Sequence, residues 1–176
     1  MDKKIVYFDC DDFSEQNNCL DWLWLLEKEF PKFKVNLFAI PWESRNPIWR
    51  EYIKSLDWIQ LCVHGYYHKN NEEVSETNLI AYGVAFSKVY RAPFWQLSDT
   101  MYKRLTKLGY KIMLHPDDLR EGIKYNWNIK DSPPDLPILY AHGHVQDYPV
   151  GLKGNGIRQA FENIIKLPKD TEFKFL

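Results

Sequence analysis

Four short stretches hold most of the side chains able to do chemistry. Phe8-Asp9-Cys10-Asp11-Asp12-Phe13-Ser14 sets three carboxylates within four residues. Charges that close repel, and solvent, an arginine or a cation must offset them. His64-Gly65-Tyr66-Tyr67-His68 spaces two imidazoles four apart. That spacing lets both rings reach one ion from one side of a helical turn. Tyr90-Arg91-Ala92-Pro93-Phe94-Trp95 offers an arginine that could hold a carboxylate ionised and orient it. Leu139-Tyr140-Ala141-His142-Gly143-His144 offers a histidine able to give or take a proton near neutral pH. Each stretch alone has an ordinary explanation: a solvated acidic turn, exposed loop histidines, a surface arginine, a hydrogen-bonded core histidine.

These residues need elements to position them. Apolar runs at 5–8, 35–40, 59–63, 88–91, 111–114, 138–141 and 172–176 read as strands. Helical patterns fall between most of them, at 20–30, 47–56, 77–82, 98–108 and 156–167. The stretch 131–137 reads as a proline-rich loop. Strands that alternate with helices imply a parallel sheet covered by helices. About seven strands in a chain this short predict a distorted, incomplete (β/α) barrel, with an open doubly wound sheet as the other arrangement. The acids, His64, Arg91 and His142 all follow strand ends, where a barrel places its site.

The order of the stretches adds to their content. The chain has five histidines, and four of them lie in the two pairs. The series runs Asp-Asp, H-x-x-x-H, Arg-x-Pro, then a histidine at a strand end. In this order it resembles the polysaccharide deacetylase family, carbohydrate esterase family 4, over about residues 4–145.

The resemblance implies roles. Asp11 would be the catalytic base, Asp12, His64 and His68 the metal ligands, and Arg91 the support of the base. His142 would be the general acid, with Trp95, Tyr66 and His144 beside the substrate. The cofactor would be one divalent ion, zinc first, with cobalt, nickel or manganese also able to fill such a site. The substrate would be an N-acetylated, less readily an O-acetylated, carbohydrate. The sequence departs from the family pattern in several places. Phe13 stands where a glycine usually follows the paired acids, Asp9 is an additional acid, and Gly65 replaces a hydroxyl residue. His144 competes with His142, and the fourth motif has only Asp117, Asp118 and Trp127 as candidates.

Composition narrows the alternatives. A length of 176 residues suits a single catalytic domain, expected over 1–176. A net charge of -1 with no basic stripe disfavours a nucleic-acid partner. No apolar run is long enough to span a membrane. Three cysteines in no metal-type pair, with no visible signal segment, lead to an expected cytoplasmic location. Aromatic residues reach 16%, enough both for a core and for a sugar-binding groove. Three other classes remain: a catalytically silent glycan-binding protein on the same scaffold, a metallohydrolase built on His142 and His144, and an iron oxygenase with two histidines and a carboxylate. The alternating strands and helices count against the last.

Overall fold

The computed structural model describes residues 3–147 and 156–176. Among the described residues nine strands form one sheet, and every pairing in it is parallel. The strands are β1 (Ile5–Phe13), β2 (Val35–Ala39), β3 (Ile59–His64), β4 (Val89–Arg91), β5 (Lys111–Leu114), β6 (Ile123–Lys124), β7 (Trp127–Asn128), β8 (Ile138–His144) and β9 (Glu172–Phe173). Their order is β6-β5-β4-β3-β2-β1-β8-β7, and β9 pairs with the start of β1. The sheet curls into the incomplete (β/α) barrel expected from the alternation.

The seam of the barrel is unusual. β6 and β7 are two residues apart in sequence, yet they lie at opposite ends of the strand order. Ile123 pairs with Met113 of β5, and Trp127 pairs with Ala141 of β8. One extended run therefore leaves one border of the sheet and joins the other, with Tyr125 between.

Among the described residues five α-helices accompany the strands: α1 (Leu20–Glu29), α2 (Pro47–Ser55), α3 (Glu76–Ala85), α4 (Asp99–Lys107) and α5 (Ile157–Ile164). Their starts are written in the sequence. The Asn46 side chain caps α2 ahead of Pro47, while the Ser75 and Ser98 hydroxyls cap α3 and α4. Gly109, at φ +73°, stops α4 as expected. No helix among the described residues is long and apolar enough to cross a membrane.

Alternation along each strand separates two cores. Val6, Phe8 and Cys10 pack outward with Leu23, Leu26, Leu37 and Leu61, under the helices. Phe38, Cys62, Val89 and Met113 fill the barrel interior with Tyr7 and Tyr140, whose rings stack at 4.8 Å. Buried Asn36 ties the sheet to the end of the chain, donating to Phe8 O and accepting from Leu176 N.

Several boundaries differ from expectation. β1 does not stop at the acids; it runs through them to Phe13, because Asp9 and Asp11 are neutralised from within the barrel. β8 likewise continues through His142 to His144. α3 is longer than expected, α5 is shorter, and β9 keeps only two of five expected residues. β6 and β7 have two residues each, too few for any periodicity to show.

Candidate active site

β1 supplies the carboxylates. Asp9 and Asp11 are two apart and share the inward face. Asp12 should point away from them, but its φ is +63°, and the register with β2 slips between Cys10 and Phe13. This bulge turns Asp12 towards the same opening as Asp11.

β3 ends on His64, and the loop after it supplies His68. Gly65 follows His64 at φ +65°, and a Cβ there would sit 2.6 Å from both Glu72 Oε2 and Pro93 Cγ. Only glycine fits that space. The Glu72 carboxylate then accepts hydrogen bonds from the backbone N–H groups of Tyr66 (2.9 Å) and Tyr67 (2.8 Å). The loop bends back, and His68 returns to within 4.9 Å of the His64 ring. The missing hydroxyl of the H-x-x-x-H pattern is thus compensated by an acid from further along the chain.

Asp12 Oδ1 lies 3.4 Å from His64 Nε2 and 3.0 Å from His68 Nε2. That oxygen is buried and has no hydrogen-bond partner among the described residues. The other oxygen accepts from Gln146 Nε2 at 2.7 Å. His64 Nδ1 lies 3.1 Å from Arg91 O, an acceptor only, so Nδ1 carries the proton and Nε2 keeps its lone pair. Burial alone would raise the Asp12 carboxyl, but the two imidazoles pull it far below the ordinary range. Burial would lower His64, and Asp11 with Asp12 raises it instead. Asp9 and Asp11 share the Arg91 guanidinium while Asp12 faces two imidazoles, so the three carboxylates exceed that permanent positive charge by two. An orphaned carboxylate oxygen, two aimed ring nitrogens and surplus negative charge fit a divalent cation held by Asp12, His64 and His68.

Below this cluster Arg91 is fully buried between Phe38 and Trp95, its guanidinium carbon 4.1 Å and 4.7 Å from the two ring centroids. It grips Asp9 with both arms, Nη1 to Oδ1 at 2.6 Å and Nη2 to Oδ2 at 2.9 Å, and Nη1 also reaches Asp11 Oδ1 at 2.5 Å. Burial would raise Asp11, yet Arg91, helped by His64, His142 and His144, brings it down to about 2.

His142 Nδ1 lies 3.0 Å from Asp9 Oδ1 and 3.0 Å from Arg91 Nη1. Both hydrogens of Nη1 already go to Asp9 and Asp11, so Nδ1 is the donor to Asp9 and Nε2 is left free. Trp95 and Tyr125 pack on the His142 ring at 5.1 Å and 5.2 Å. Phe94 and Trp95 both have positive φ, 54° and 61°. That strained turn sends Phe94 onto His68 and Trp95 onto His142.

The structure brings Asp11, Asp12, His64, His68, Arg91, His142 and Trp95 together. His144 joins from β8, opposite Asp11 in register and 5.2 Å from the His142 ring. Asp11, His142 and His144 form a second group of metal-capable atoms. Burial and the neighbouring His142 lower the His144 pKa, against the pull of Asp11. Tyr66 turns inward, stacking on Tyr82, and Tyr67 is the exposed neighbour. Asp118 pairs with Arg120, Asp117 lies beside His115, and Trp127 donates to Asp131 O. The carboxylate beside Arg91 and His142 is Asp9. Sequence reading noted Asp9 only as an additional acid, and it missed Glu72, Tyr125 and Gln146. The period-two step from Asp11 was the one signal that pointed at Asp9.

No family model and no curated protein sequence matches this chain. Solved structures do match it. One is the Bc1960 peptidoglycan N-acetylglucosamine deacetylase, with a TM-score of 0.62 at 15% identity over 99% of this chain and 86% of the other. The polysaccharide deacetylase Bc1974 from Bacillus cereus gives 0.61 at 13% identity, over 99% and 92%. BA3943 from Bacillus anthracis, a family 4 pseudoenzyme, gives 0.59 at 13% identity, over 93% and 59%. At such identities the likeness is one of architecture, and the chain has the fold of the carbohydrate esterase family 4 polysaccharide deacetylases.

Proposed function

We propose that this protein is a metal-dependent deacetylase of N-acetylated carbohydrate, acting as one catalytic domain. The observation that carries the reading is the Asp11–Asp12 pair. One carboxylate is fixed by Arg91, and the next faces two imidazole nitrogens. Asp12, His64 and His68 hold the ion, and their nitrogen and oxygen donors suit zinc first. When bound, such an ion polarises a carbonyl and acidifies water.

The chain's own residues supply the proton transfers. Asp11 is held ionised by Arg91 and accepts the proton of the attacking water. His142 holds its Nδ1 proton towards Asp9, and in its imidazolium form it carries a second proton on Nε2, which passes to the departing nitrogen and leaves the neutral ring. Trp95 and Tyr125 shield that imidazole from water. The products are acetate and a free amino sugar.

Two observations favour other readings. A pseudoenzyme shares the fold, which supports a glycan binder without turnover. The Asp11, His142 and His144 group supports a metallohydrolase using that set. Acetate release from N-acetylglucosamine oligomers, with and without chelator, separates them. Release that stops on chelation and returns with zinc is expected. A zinc-loaded protein that releases none is a binder. Metal lost from His144→Ala and kept by His64→Ala moves the ion to the second group.

A further inference from the structure

Asp11, His142 and His144 bring one carboxylate and two imidazoles together from the neighbouring strands β1 and β8. Their ligand-capable atoms all lie within 4.8 Å of one another, as those of Asp12, His64 and His68 do. The two groups have no residue in common. They meet where His64 Nε2 lies 3.8 Å from Asp11 Oδ2. No donor has to serve both, so an ion in the first group leaves every donor of the second in place.

Each residue of the second group keeps a donor to spare. Arg91 Nη1 takes Asp11 Oδ1 at 2.5 Å, while Asp11 Oδ2 accepts no hydrogen bond among the described residues. Asp9 holds His142 Nδ1 at 3.0 Å, which leaves Nε2. His144 Nδ1 is buried and has no hydrogen-bond partner among the described residues. A buried nitrogen left in that state costs free energy unless something binds it. The proposed deacetylation makes no use of this ring, because Asp11 supplies the base and His142 the acid. β8 nevertheless holds it 5.2 Å from the His142 ring and opposite Asp11 in register.

Two imidazoles and a carboxylate select a borderline ion such as zinc over magnesium or calcium, which prefer oxygen donors. Charge sets the order of filling. Asp9, Asp11 and Asp12 exceed the Arg91 charge by two, and one divalent ion in the first group cancels that surplus. A second ion meets no surplus, stands beside the Arg91 guanidinium and the first ion, and so binds more weakly. We propose that Asp11, His142 and His144 form a second, weaker zinc site, and that filling it switches the deacetylase off. Metal ligands must be deprotonated. The second ion therefore takes the Asp11 oxygen needed to accept the water's proton, and the His142 Nε2 needed to carry one to the departing nitrogen. Turnover then peaks at one ion per chain and falls as free zinc rises. The site stands on its geometry, and its inhibitory effect rests on the deacetylase reading.

Equilibrium dialysis against buffered zinc, followed by elemental analysis, tests the site. Wild-type protein is expected to take one equivalent at low free zinc and a second at a concentration about 100-fold higher or more. His144→Ala should keep the first equivalent and bind the second about tenfold more weakly or worse. His144→Gln, which also removes the imidazole, decides the matter if His144→Ala does not fold. Acetate release is followed over the same zinc range. In wild type it should fall about tenfold or more as the second equivalent binds. The His144 variant, measured against its own rate at one equivalent, should hold that rate. One equivalent at every zinc concentration, a second equivalent unchanged by the His144 substitution, or a second equivalent that leaves release undiminished overturns the proposal. Two equivalents with no release at any zinc concentration keep the metal site and remove the deacetylase reading. Release from protein that never takes more than one equivalent does the reverse.

Discussion

Asp9 Oδ1 and His142 Nδ1 lie 3.0 Å apart across neighbouring strands, paired in register and both screened from solvent. The contact fixes the Nδ1 proton of His142 and so leaves Nε2 for the proton transfer proposed above. Asp9→Asn keeps the shape and removes the charge. Its acetate release should fall about 10- to 100-fold, with zinc content unchanged. Wild-type turnover in that variant would mean that Asp9 only balances Arg91.

His142 and His144 share a face of β8, yet they differ in what holds them. His142 is tied to Asp9, while His144 Nδ1 is buried with no partner among the described residues. His142→Ala should therefore slow N-acetyl cleavage about 10²- to 10⁴-fold, and His144→Ala far less. An activated aryl acetate needs little help to its leaving group, so it should largely rescue His142→Ala. The reverse ranking would hand the acid role to His144.

Glu72 braces the loop that joins the proposed metal ligands His64 and His68 through the backbone of Tyr66 and Tyr67. Removing its carboxylate leaves the Tyr66 and Tyr67 N–H groups without their partner. Glu72→Ala should weaken zinc binding by about tenfold or more in a competitive chelator titration, with the barrel intact. Zinc affinity equal to wild type would show that the loop holds itself.

Asp11 links the site to acid stability. Its carboxyl is held at about 2 against an ordinary 3.8. Folding therefore favours the ionised form, and that contribution is complete above about pH 4 and lost as pH falls towards 2. In urea melts with chelator present, Asp11→Asn should be less stable than wild type at pH 6, and the gap should close near pH 2. In acetate release at neutral pH the same variant should lose about 10²- to 10⁴-fold, since an amide accepts no proton. A stability gap that is constant with pH would remove Arg91 as the cause of the shift.

The barrel was legible because buried parallel strands read as short apolar runs between helices. The clustering of Asp12 with His64 and His68 was legible because so few histidines exist and two of them stand four apart just after an apolar strand. Asp9 was not legible in its role. A carboxylate on a strand reads the same whether it meets water or an arginine 82 positions away. Glu72 hid for a related reason, since its partners are backbone N–H groups, which leave no trace in side-chain pattern. β1 ran past its expected end because strand propensity counts acids as breakers, and here a buried guanidinium cancels that cost.

β1 is flanked by β2 on one side and by β8 on the other. During synthesis the first flank can be matched once residue 39 has emerged, and the second only after residue 138. Between those two points of synthesis β1 thus presents a bare edge, the kind of surface that recruits strands from other molecules. That edge carries Asp9, Asp11 and Asp12, whose mutual repulsion makes it a poor template for any chain that lacks the basic and imidazole groups to receive them. The carboxylates proposed to work in the finished site would thus, by the same charge, disfavour foreign strand pairing before β8 arrives.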